Sequence, residues 1–597
     1  MTELVNSNSL WCDLLVTALE THGIKYACIS PGSRNTPLVV SFQKSKKIKC
    51  FVNVDERSSA FFAIGLVLQT KSPVVIITTS GTAVAELYPA IIEAYYNRVP
   101  LIVITADRPQ ALHNVGANQT INQVNIFKNH VRGYYEAGMP KINKPSLFGF
   151  SKKIMHVVSE SVSKKSPIHF NFPFAKPFEP SAGTEEVGEG FIESMHREFS
   201  KTILHVYYKH KANTDTYYLG ELLRNSPRTM IFVGNSRLKE GVIDEIITLA
   251  KNLKAPIFAD GFSNMRFLKK TNENIIINFS SFFQSEKIRK AVEPKLILQF
   301  GGTPVSEHFL EFLKGTKATK VSIDKYGDIH DPTRTQTKVI KGKPDWVCRM
   351  LNDLPSLKPK EEQKEFLRFV LQIENSAQEI KDLFLESTSF PFEGNIINTV
   401  LKLLPEESNL MISNSLPARD FDCFAEYDKR IKIANNRGAS GIDGIVSTAA
   451  GLAAQSANPT ALIIGDLSFF YDLNGLLALK KYNIPLIIIM LNNGGGAIFE
   501  TLPIGREANV DFLNYFKAPT ELDYKSIVKG FGGNYKEVSS SSSFEKEFKN
   551  AQKKKEFTVL EIIINSKTSQ NEREKYWTVL KAQVEAECGI TDWWNNF

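Results

Sequence analysis

The chain has 597 residues, of which 43% are hydrophobic and 23% are charged. A chain of this length is too long for a single hydrophobic core, so we predict three or four domains. The composition is that of an ordinary globular protein. The net charge is +8, and lysines cluster in segments such as 44–49 and 553–556. Such clusters are typical of a solvated surface. We find no basic stripe interleaved with aromatic residues, so we expect no nucleic-acid partner.

Hydropathy and cysteine spacing indicate the cellular compartment in which the protein is expected. No apolar run approaches about eighteen residues, the length of a membrane-spanning helix, so we predict no membrane insertion. The N-terminal segment MTELVNSNSLWCDLL lacks the basic region and the small-residue cleavage site of a secretory signal. The six cysteines form no CxxC pair, which argues against a zinc site or a disulfide framework. Free thiols in a reducing cytoplasm are the expected state.

The first predicted elements form a strand–helix–strand unit. Residues 73–79 are a continuous apolar, β-branched run, residues 81–97 have helical spacing, and residues 100–106 are a second apolar run. Continuous apolar strands that alternate with helices are typical of a parallel sheet covered on both faces. The unit therefore predicts an α/β domain with a right-handed crossover.

Two further blocks repeat this pattern. The predicted strands of the middle block are 229–236, 255–260, 295–302 and 320–324. A charged, proline-containing stretch at 354–366 is interpreted as a linker. The last block has a helix rich in small residues at 442–456 and predicted strands at 409–415, 461–470, 485–493 and 558–565. We predict three doubly wound α/β domains with parallel sheets, at 1–185, 195–355 and 365–597.

Two loops of the last block carry oxygen ligands suited to a metal ion. Gly465 and Asp466 follow one predicted strand, and Asn493 and Gly495 follow the next. In open parallel sheets, ligands bind at the carboxyl ends of the strands. Asp466, Asn493 and a glycine-loop carbonyl could hold Mg²⁺ while two diphosphate oxygens complete an octahedron, and Gly465 would let phosphates approach the backbone. Two ordinary turns with a helix-capping aspartate are the alternative.

This Gly-Asp…Asn spacing resembles the cofactor motif of the thiamine-diphosphate enzyme superfamily. The resemblance implies thiamine diphosphate and Mg²⁺ or Mn²⁺ as cofactors, with Asp466, Asn493 and the Gly495 carbonyl on the metal. It implies a pyrimidine-binding first domain, a central domain and a diphosphate-binding last domain, which is the order of the three predicted blocks. It also implies a homodimer or homotetramer with active sites at the subunit interface.

The superfamily needs a carboxylic acid on N1′ of the cofactor pyrimidine, and Glu56 is the candidate. Glu56 lies between a short β-like stretch and a helix of small and apolar residues, where the superfamily's glutamate lies. Such an acid has to be buried, so that its pKa rises and it can share a proton near neutrality. The alternative is a glutamate that merely stabilises the start of a helix.

Five further motifs extend the resemblance to one particular family within this superfamily. They are ISPGSRNTPL at 29–38, the segment 80–109 that ends in ADRP, GANQTINQ at 116–123, SNSLPARDFD at 413–422 and NNRGASGIDG at 435–444. Together they resemble the 2-succinyl-5-enolpyruvyl-6-hydroxy-3-cyclohexene-1-carboxylate synthases of menaquinone biosynthesis. The match lies in the first and last blocks, whereas the middle block resembles the family only in general form.

This resemblance implies a transferase that decarboxylates 2-oxoglutarate and adds the succinyl carbanion equivalent to isochorismate. Both substrates are anionic, and guanidinium groups bind carboxylates in a bidentate manner. The residues that the resemblance assigns to the substrate pocket are Ser33, Arg34, Arg108, Gln119, Ser415, Arg419, Arg437 and Phe499. A surface ion pair is the alternative for each arginine, and Arg108 could instead brace its loop.

Some of these residues have a second implied role. Arg34 and Gln119 join Glu56 as catalytic residues, and Ser415 and Ile442 join the cofactor-binding residues. Ile442 would be the apolar wedge beneath the thiazolium ring. Core packing is the alternative interpretation for Ile442 and for Phe499.

One position departs from the family. After the strand predicted at 295–302 the family usually carries a basic residue that helps to bind substrate carboxylate, but Glu307 and His308 occupy that region here. A glutamate would repel a carboxylate. His308, Lys325 or Arg334 could take over the contact, or the contact could be missing.

Two other functions stay open. One is a different thiamine enzyme, such as a 2-oxo acid decarboxylase or an acetolactate-type synthase. The other is a nucleotide-binding or noncatalytic assembly protein, because VGNSRLKEG at 233–241 could form part of a dinucleotide site. That segment lacks the GxGxxG pattern and the acidic ribose ligand that follows it.

Overall fold

A computed structural model describes residues 2–183, 185–201, 214–236, 238–267, 274–336, 338–354, 357–426 and 429–590. It contains three six-stranded sheets, one in each predicted block. Neighbouring strands run parallel throughout these sheets. The predicted fold class, three doubly wound α/β domains with parallel sheets, is confirmed.

The first domain is a parallel sheet with helices on both faces. Its elements are β1 Thr2–Val5, α1 Ser7–Thr21, β2 Tyr26–Ile29, α2 Thr36–Lys44, β3 Lys49–Val52, α3 Glu56–Thr70, β4 Val74–Thr78, α4 Thr82–Glu86, α5 Tyr88–Tyr96, β5 Leu101–Asp107, β6 Tyr134–Glu136, α6 Lys144–Lys164, β7 Ile168–Pro173, β8 Glu185–Gly188 and α7 Phe191–Lys201. The strand order of its sheet is β3-β2-β4-β5-β7-β6. Because β8 pairs with β1 and α7 packs on α1, we propose that this domain extends past the predicted cut at 185 to Lys201.

The middle domain has a different strand order. Its elements are α8 Thr214–Asn225, β9 Thr229–Val233, α9 Glu240–Leu253, β10 Ile257–Ala259, β11 Ile275–Ile276, α10 Phe279–Phe282, α11 Glu286–Ala291, β12 Leu296–Phe300, α12 Glu307–Gly315, β13 Thr319–Asp324, β14 Lys338–Lys341 and α13 Pro344–Asn352. The sheet order is β11-β10-β9-β12-β13-β14. Its topological switch point therefore lies between β9 and β12.

The last domain is again a parallel sheet with helices around it. Its elements are α14 Glu361–Ser387, α15 Glu393–Leu403, β15 Asn409–Ile412, α16 Leu416–Phe424, β16 Lys432–Ala434, α17 Ile445–Ala453, β17 Thr460–Gly465, α18 Asp466–Tyr471, α19 Gly475–Lys481, β18 Ile487–Asn492, α20 Tyr524–Gly530, β19 Asn534–Glu537, α21 Ser541–Ala551, β20 Thr558–Ile563 and α22 Ser566–Glu587. The sheet order is β16-β15-β17-β18-β20-β19. The predicted cuts at 355 and 365 stay a proposal.

Three predicted boundaries need correction. The helix predicted over 81–97 is two helices, α4 and α5, because Pro89 lies in the first turn of α5 and starts a new helix. The strand predicted over 461–470 ends at Gly465, and α18 follows directly. The linker interpretation of 354–366 is wrong from Glu361 onward, where α14 begins with two acidic residues in its first turn. Across the described ranges, no helix has both the length and the apolar character that crossing a membrane requires.

The first and last domains share one topology. If the strands of each sheet are numbered along the chain from β2 and from β15, both sheets have the order 2-1-3-4-6-5. The chain thus reverses its winding between β2 and β4 in one domain and between β15 and β17 in the other. Ligand sites in such sheets lie at the carboxyl ends of the strands beside this switch point. The loops after these strands are therefore the places to look for a site.

Two glycine-containing helices join the first and last domains. Helix α3 is buried along most of its length and packs against α17. A Cβ atom at Gly65 would lie 2.0 Å from the Thr448 carbonyl oxygen, and one at Gly451 would lie 2.0 Å from the Phe62 carbonyl oxygen. The absence of a side chain at these two positions lets the backbones touch. One hydrophobic cluster consequently runs across both domains.

We expect Gly65→Ala to destabilise the protein by about 3 kcal/mol, because the added methyl group would meet backbone that cannot yield. The measurement is the free energy of unfolding from denaturant titration. Gly149→Ala is the matched control, since Gly149 also lies inside a helix but has open space at the Cβ position. The control should stabilise the protein by about 0.5–1 kcal/mol through helix propensity. Equal stability of the two variants would contradict this packing.

Candidate active site

The predicted metal ligands lie side by side at the carboxyl ends of β17 and β18. These strands are neighbours, with Gly465 opposite Leu491 in the register. Asp466 begins α18, and the backbone N–H groups of Gly495 and Asn493 lie near enough to its carboxylate to act on its pKa. The structure therefore brings together the three residues that the sequence singled out for a metal. Parallel pairing of two adjacent strands is the physical cause.

The Asp466 carboxylate is buried, with 2% of the residue exposed. Burial raises the pKa of Asp466 from 3.8 to about 6, although four backbone N–H groups around the carboxylate act in the opposite direction. A buried carboxylate whose pKa is raised is poised to gain from a cation, which would stabilise its ionised form.

Two further observations fit a metal-bound diphosphate at this place. The Oδ1 atom of Asn493 is buried and has no hydrogen-bond partner among the described residues. A buried carbonyl oxygen without a partner is costly, and a hard cation would satisfy it. At Gly465 a Cβ atom would meet nothing within 4 Å, so space is open beside the backbone that leads into Asp466. The oxygen donors present are those that Mg²⁺ or Mn²⁺ prefers.

The glycine loop after β18 depends on close backbone contact. Gly495 has φ of +119°, and a Cβ atom there would lie 2.1 Å from the Lys517 carbonyl oxygen. The N–H of Gly496 donates to the same oxygen at 2.6 Å. Lys517 in turn donates from Nζ to Glu500 at 2.7 Å. Only glycine fits position 495, both for its backbone conformation and for the approach of residue 517.

Metal affinity should depend on pH through Asp466. Below about pH 6 a proton competes with the cation for the carboxylate, so Mg²⁺ affinity should fall roughly tenfold per pH unit. Because the folded-state pKa lies above the ordinary value, the metal-free protein gains stability from this group at low pH and loses it as the pH rises through about 6. Calorimetric titration of Mg²⁺ with cofactor between pH 5 and pH 8 measures the effect. Equal affinity at pH 5 and pH 7 would contradict it.

Two arginines of the last domain flank the same edge. Arg419 donates from Nη1 to the carbonyl of Ser415 at 3.1 Å, and Arg437 donates from Nη1 to Oδ1 of Asn414 at 3.3 Å. Desolvation and then the nearby Arg437 guanidinium lower the pKa of Arg419. Two guanidinium groups close together repel each other, and an anion between them would relieve the repulsion. Ser415 itself adopts φ of +72°, a conformation that is strained for a serine.

The middle domain contributes Glu307 to this region. Glu307 starts α12, whose N-cap is Ser306, and its charge raises the pKa of Arg419 against the lowering by desolvation. His308 instead pairs with Glu311 at 3.3 Å, and Lys325 contacts the Tyr326 hydroxyl. An acid thus lies near Arg419 where the family usually has a base, whereas His308 and Lys325 have contacts with Glu311 and Tyr326.

Glu56 is the first residue of α3, but it does not cap the helix. The side chain of Asp55 accepts the hydrogen bond from the Ser58 N–H at 2.8 Å and is the N-cap. Burial raises the pKa of Glu56, and the carboxylates of Asp55 and Glu86 add to the rise, whereas the helix backbone opposes it. The raised pKa is the property that the sequence argument required of this acid.

The other predicted residues of the first domain lie on the loops that follow β2 and β5. Arg34 donates to the Phe174 carbonyl at 2.8 Å and lies over the Phe178 ring. Ser33 and Gln119 are exposed. The Arg108 guanidinium donates to the Ser80 hydroxyl and to the Gln119 carbonyl. In this structure Arg108 therefore braces the loop that carries Gln119, the alternative that the sequence left open.

Ile442 and Phe499 border the metal edge. The Ile442 carbonyl accepts a hydrogen bond from Ser468 of α18 at 2.8 Å, and its side chain is only half-buried. Phe499 lies in the short 3₁₀ helix Ala497–Thr501, with its ring centroid 5.8 Å from that of Phe516. Neither side chain is fully enclosed in a core. A role against a ligand stays a prediction for both.

Glu56 and Asp466 do not act on each other's charge among the effects recorded for the described residues. The charges that act on the pKa of Glu56 are those of Asp55 and Glu86, whereas the pKa of Asp466 is changed by burial and by backbone N–H groups of its own loops. The start of α3 contacts the segment after α18 instead. Asn474 donates to Asp55 at 2.6 Å, and Arg57 donates to the Tyr471 carbonyl at 2.9 Å.

Sequence reasoning missed two polar residues near the site. Asn414 donates to the carbonyls of Asn436 and Gly441 and so holds the loop that carries Arg437. Asp472 is fully buried and accepts hydrogen bonds from the backbone N–H and hydroxyl of Ser447, at the start of α17. Asn414 lies in the motif 413–422 already singled out, and Asp472 directly follows α18. In each case the available signal was a polar side chain close after a buried strand or a short helix.

One other group of acidic and histidine side chains could suggest a metal. Asp324, Asp328 and His330 lie close together at the end of β13 and in the loop that follows it. However, Asp328 is ion-paired with Arg98, and Asp324 accepts backbone N–H groups from Tyr326 and Asp328. These carboxylates already have protein partners, so the group does not compete with the Asp466 loops as a cofactor site.

The switch point of the middle domain is filled by protein. A Cβ atom at Gly234 would lie 2.0 Å from the Gly302 carbonyl oxygen, and Gly302 donates to the Asn235 carbonyl at 2.9 Å. Asn235 also exchanges hydrogen bonds with Asn435 of the last domain. The crevice where a dinucleotide would enter is therefore closed by backbone and by a loop of another domain.

Family models match parts of the first and last domains, and curated relatives match most of the chain. Residues 12–126 match the thiamine pyrophosphate enzyme N-terminal TPP binding domain, and residues 430–562 match the C-terminal TPP binding domain. The chain is 34% identical over 585 residues to a 2-succinyl-5-enolpyruvyl-6-hydroxy-3-cyclohexene-1-carboxylate synthase of Bacillus cytotoxicus, covering 97% of both chains. It is 37% identical to the Bacillus velezensis synthase, with 86% of this chain and 87% of that one covered.

A solved structure has the same fold. A Rhodococcus jostii thiamine diphosphate-dependent 4-hydroxybenzoylformate decarboxylase aligns with a TM-score of 0.68, covering 93% of this chain and 99% of that one. The two sequences are only 15% identical, so the likeness concerns the arrangement of the three domains alone. That arrangement is the thiamine-diphosphate enzyme type expected from the sequence.

Proposed function

The chain belongs to the 2-succinyl-5-enolpyruvyl-6-hydroxy-3-cyclohexene-1-carboxylate synthase family of thiamine-diphosphate enzymes, and from this we propose that it decarboxylates 2-oxoglutarate and adds the resulting succinyl unit to isochorismate. The product is the compound in the family name, formed with release of CO₂ in menaquinone biosynthesis. The observation that carries the proposal is the paired Asp466 and Asn493 loops, together with arginines beside the same sheet edge.

Bound thiamine diphosphate would supply the nucleophilic carbon and the electron-accepting ring that decarboxylation of a 2-oxo acid requires. Asp466, Asn493 Oδ1 and the Gly495 carbonyl would hold the divalent metal on the diphosphate. The open space at Gly465 would admit the phosphates. Ser415 and the half-buried Ile442 side chain would line the cofactor site.

Glu56 would hold a proton at N1′ of the cofactor pyrimidine. Its pKa is raised by burial, which favours the shared-proton state that this role needs near neutral pH. Arg34 and Gln119 would join Glu56 as catalytic residues. Ser33, on the same loop as Arg34, would contact the substrate. We propose that Arg108 acts mainly by bracing Gln119, because it donates to the carbonyl of that residue.

The anionic substrates would be bound by guanidinium groups. Desolvation and the Arg437 guanidinium lower the pKa of Arg419, and a substrate carboxylate would act in the opposite direction. Phe499 would supply apolar contact to the cyclohexadiene ring of isochorismate. Glu307 lies beside Arg419, so we propose that it orients this arginine rather than touching substrate.

We propose a homodimer or homotetramer in which the Glu56 half of one chain meets the Asp466 half of another. It is supported by the charges that act on the pKa of Glu56 in the described part of the chain, which do not include Asp466. Exposed apolar side chains at both segments, Val54, Phe470, Tyr471 and Leu477, also support it, since such side chains are typical of a covered surface. A cytoplasmic location is proposed as well, because all six cysteines are free thiols.

A single-turnover experiment tests the reaction. Enzyme loaded with thiamine diphosphate and Mg²⁺ is mixed with 2-oxoglutarate, with and without isochorismate, and CO₂ and adduct are quantified. We expect an adduct only when both substrates are present, with one CO₂ per adduct. Full-rate CO₂ release from pyruvate without any isochorismate adduct would favour a different thiamine enzyme. Thermal stabilisation by NAD or FAD, and none by thiamine diphosphate with Mg²⁺, would favour the nucleotide-binding alternative.

A further inference from the structure

The loop that carries Arg437 is anchored by a carboxylate from another domain. The backbone N–H of Gly438 donates to Oε1 of Glu93 at 2.9 Å, and the N–H of Ala439 donates to Oε2 at 2.7 Å. Glu93 lies on α5 of the first domain, 345 residues away in sequence. Each carboxylate oxygen of Glu93 thus accepts a hydrogen bond from one of two successive backbone N–H groups of the loop.

Close packing reinforces these hydrogen bonds. A Cβ atom at Gly438 would lie 2.5 Å from the Glu93 carbonyl oxygen and 2.8 Å from the Asn97 nitrogen. Asn97 donates from its side chain to Glu93 at 2.9 Å and to the Asn435 carbonyl at 3.3 Å. The loop therefore lies flat against the end of α5, and Glu93 is only 3% exposed. Charge-assisted hydrogen bonds in such a buried place are stronger than those at a surface.

The opposite side of the loop is held as well. Asn435 exchanges side-chain hydrogen bonds with Asn235 of the middle domain at 3.4 and 3.2 Å, and Arg437 lies over the Phe262 ring at 5.5 Å. The loop lies at the junction of three domains. Burial lowers the pKa of the Arg437 guanidinium, and the charges of Asp260, Asp422 and Glu93 act in the opposite direction.

We infer that Glu93 is a positioning residue: from the first domain, it fixes the loop that presents Arg437 to an anionic substrate. This inference rests on the proposed function of Arg437. The loop bears glycine at 438 and 441, so without an anchor it would sample many backbone conformations. Holding two successive amides removes that freedom before substrate binds, which lowers the entropic cost of binding.

Glu93→Gln tests this inference, because it keeps the size of the side chain but removes the charge and one of the two acceptors. We expect the KM of an anionic substrate to rise about tenfold, the effect of losing one charge-assisted hydrogen bond, while kcat changes less than about threefold. Glu93→Asp should fall between Gln and the parent chain. Steady-state kinetics with each substrate varied in turn measures the split.

Glu374→Gln is the matched control. Glu374 is also a buried carboxylate that accepts two successive backbone N–H groups, those of Ile277 and Asn278, but it lies against the middle domain. Both variants should melt at lower temperature, and only Glu93→Gln should raise KM. If Glu374→Gln raises KM equally at the same loss of melting temperature, Glu93 has a merely structural role and the inference is overturned.

A double variant separates this inference from the function on which it rests. If Glu93 acts through Arg437, Glu93→Gln should add less than about twofold to KM in the Arg437→Gln background. If Arg437→Gln raises KM and Glu93→Gln does not, the positioning inference fails and the proposed function stands. If Arg437→Gln leaves both KM values unchanged, the proposed role of Arg437 fails, and the inference fails with it.

Discussion

Replacing Glu56 by Gln should lower turnover by about 10³-fold, the contribution typical of a positioned acid–base group. Gln keeps the shape of the side chain but cannot exchange a proton with the pyrimidine nitrogen. Because the diphosphate half is untouched, thiamine diphosphate and Mg²⁺ should still raise the melting temperature of the variant. Adduct formation and the cofactor-dependent thermal shift are the two measurements.

Glu86→Gln is the control for this prediction. Glu86 lies near enough to act on the pKa of Glu56 but is itself exposed. Removing its charge should lower the pKa of Glu56 slightly, so the rate should change less than about threefold near neutral pH. Unchanged turnover in Glu56→Gln would refute its role. Equal losses in the two variants would show that only local charge matters.

Replacing Asp466 by Ala should weaken Mg²⁺-dependent binding of thiamine diphosphate by about 100-fold or more, since even indirect changes around a metal cost 10–100-fold. The carboxylate is the one charged ligand in the proposed set, and backbone N–H groups of the Asn493 loop lie near enough to act on its pKa. Calorimetry of cofactor binding at fixed Mg²⁺ concentration measures the loss. The metal-free variant should gain stability, because a buried carboxylate whose folded pKa is raised has been removed.

Asp511→Ala is the matched control in the same domain. Asp511 is exposed, and its carboxylate accepts hydrogen bonds from the backbone N–H and the side-chain amide of nearby Asn514. Cofactor binding in this variant should equal that of the parent chain. Undiminished binding in Asp466→Ala would contradict the metal assignment.

The strand ends were predictable because each is a short apolar, β-branched run that stops at a polar or glycine residue. Once two such strands are neighbours in a parallel sheet, the meeting of Asp466 with Asn493 follows from the register alone. The identity of the neighbours was not predictable from hydropathy, because an apolar run carries no information on strand order. It came from the resemblance of the Gly-Asp…Asn motif to known enzymes.

Contacts between domains could not be predicted at all. Glu93 lies in a helix that the sequence described only by its apolar spacing, and its partners at 438 and 439 are far along the chain. The buried pair of Arg266 with Asp422 joins the middle and last domains in the same way. Nor could the sequence distinguish Asp55 from Glu56 as the helix cap, because either carboxylate can accept the N–H groups of a first turn.

Mixing two inactive variants tests most directly whether one active site is divided between the Glu56 half of one chain and the Asp466 half of another. Glu56→Gln and Asp466→Ala chains are each inactive alone, and are exchanged at equal concentrations through mild dissociation. In mixed dimers one of the two sites then has both native residues, so activity should return to about a quarter of the native value. No recovery, with mixed dimers verified by mass spectrometry, would place both halves of the site within one chain and contradict the account.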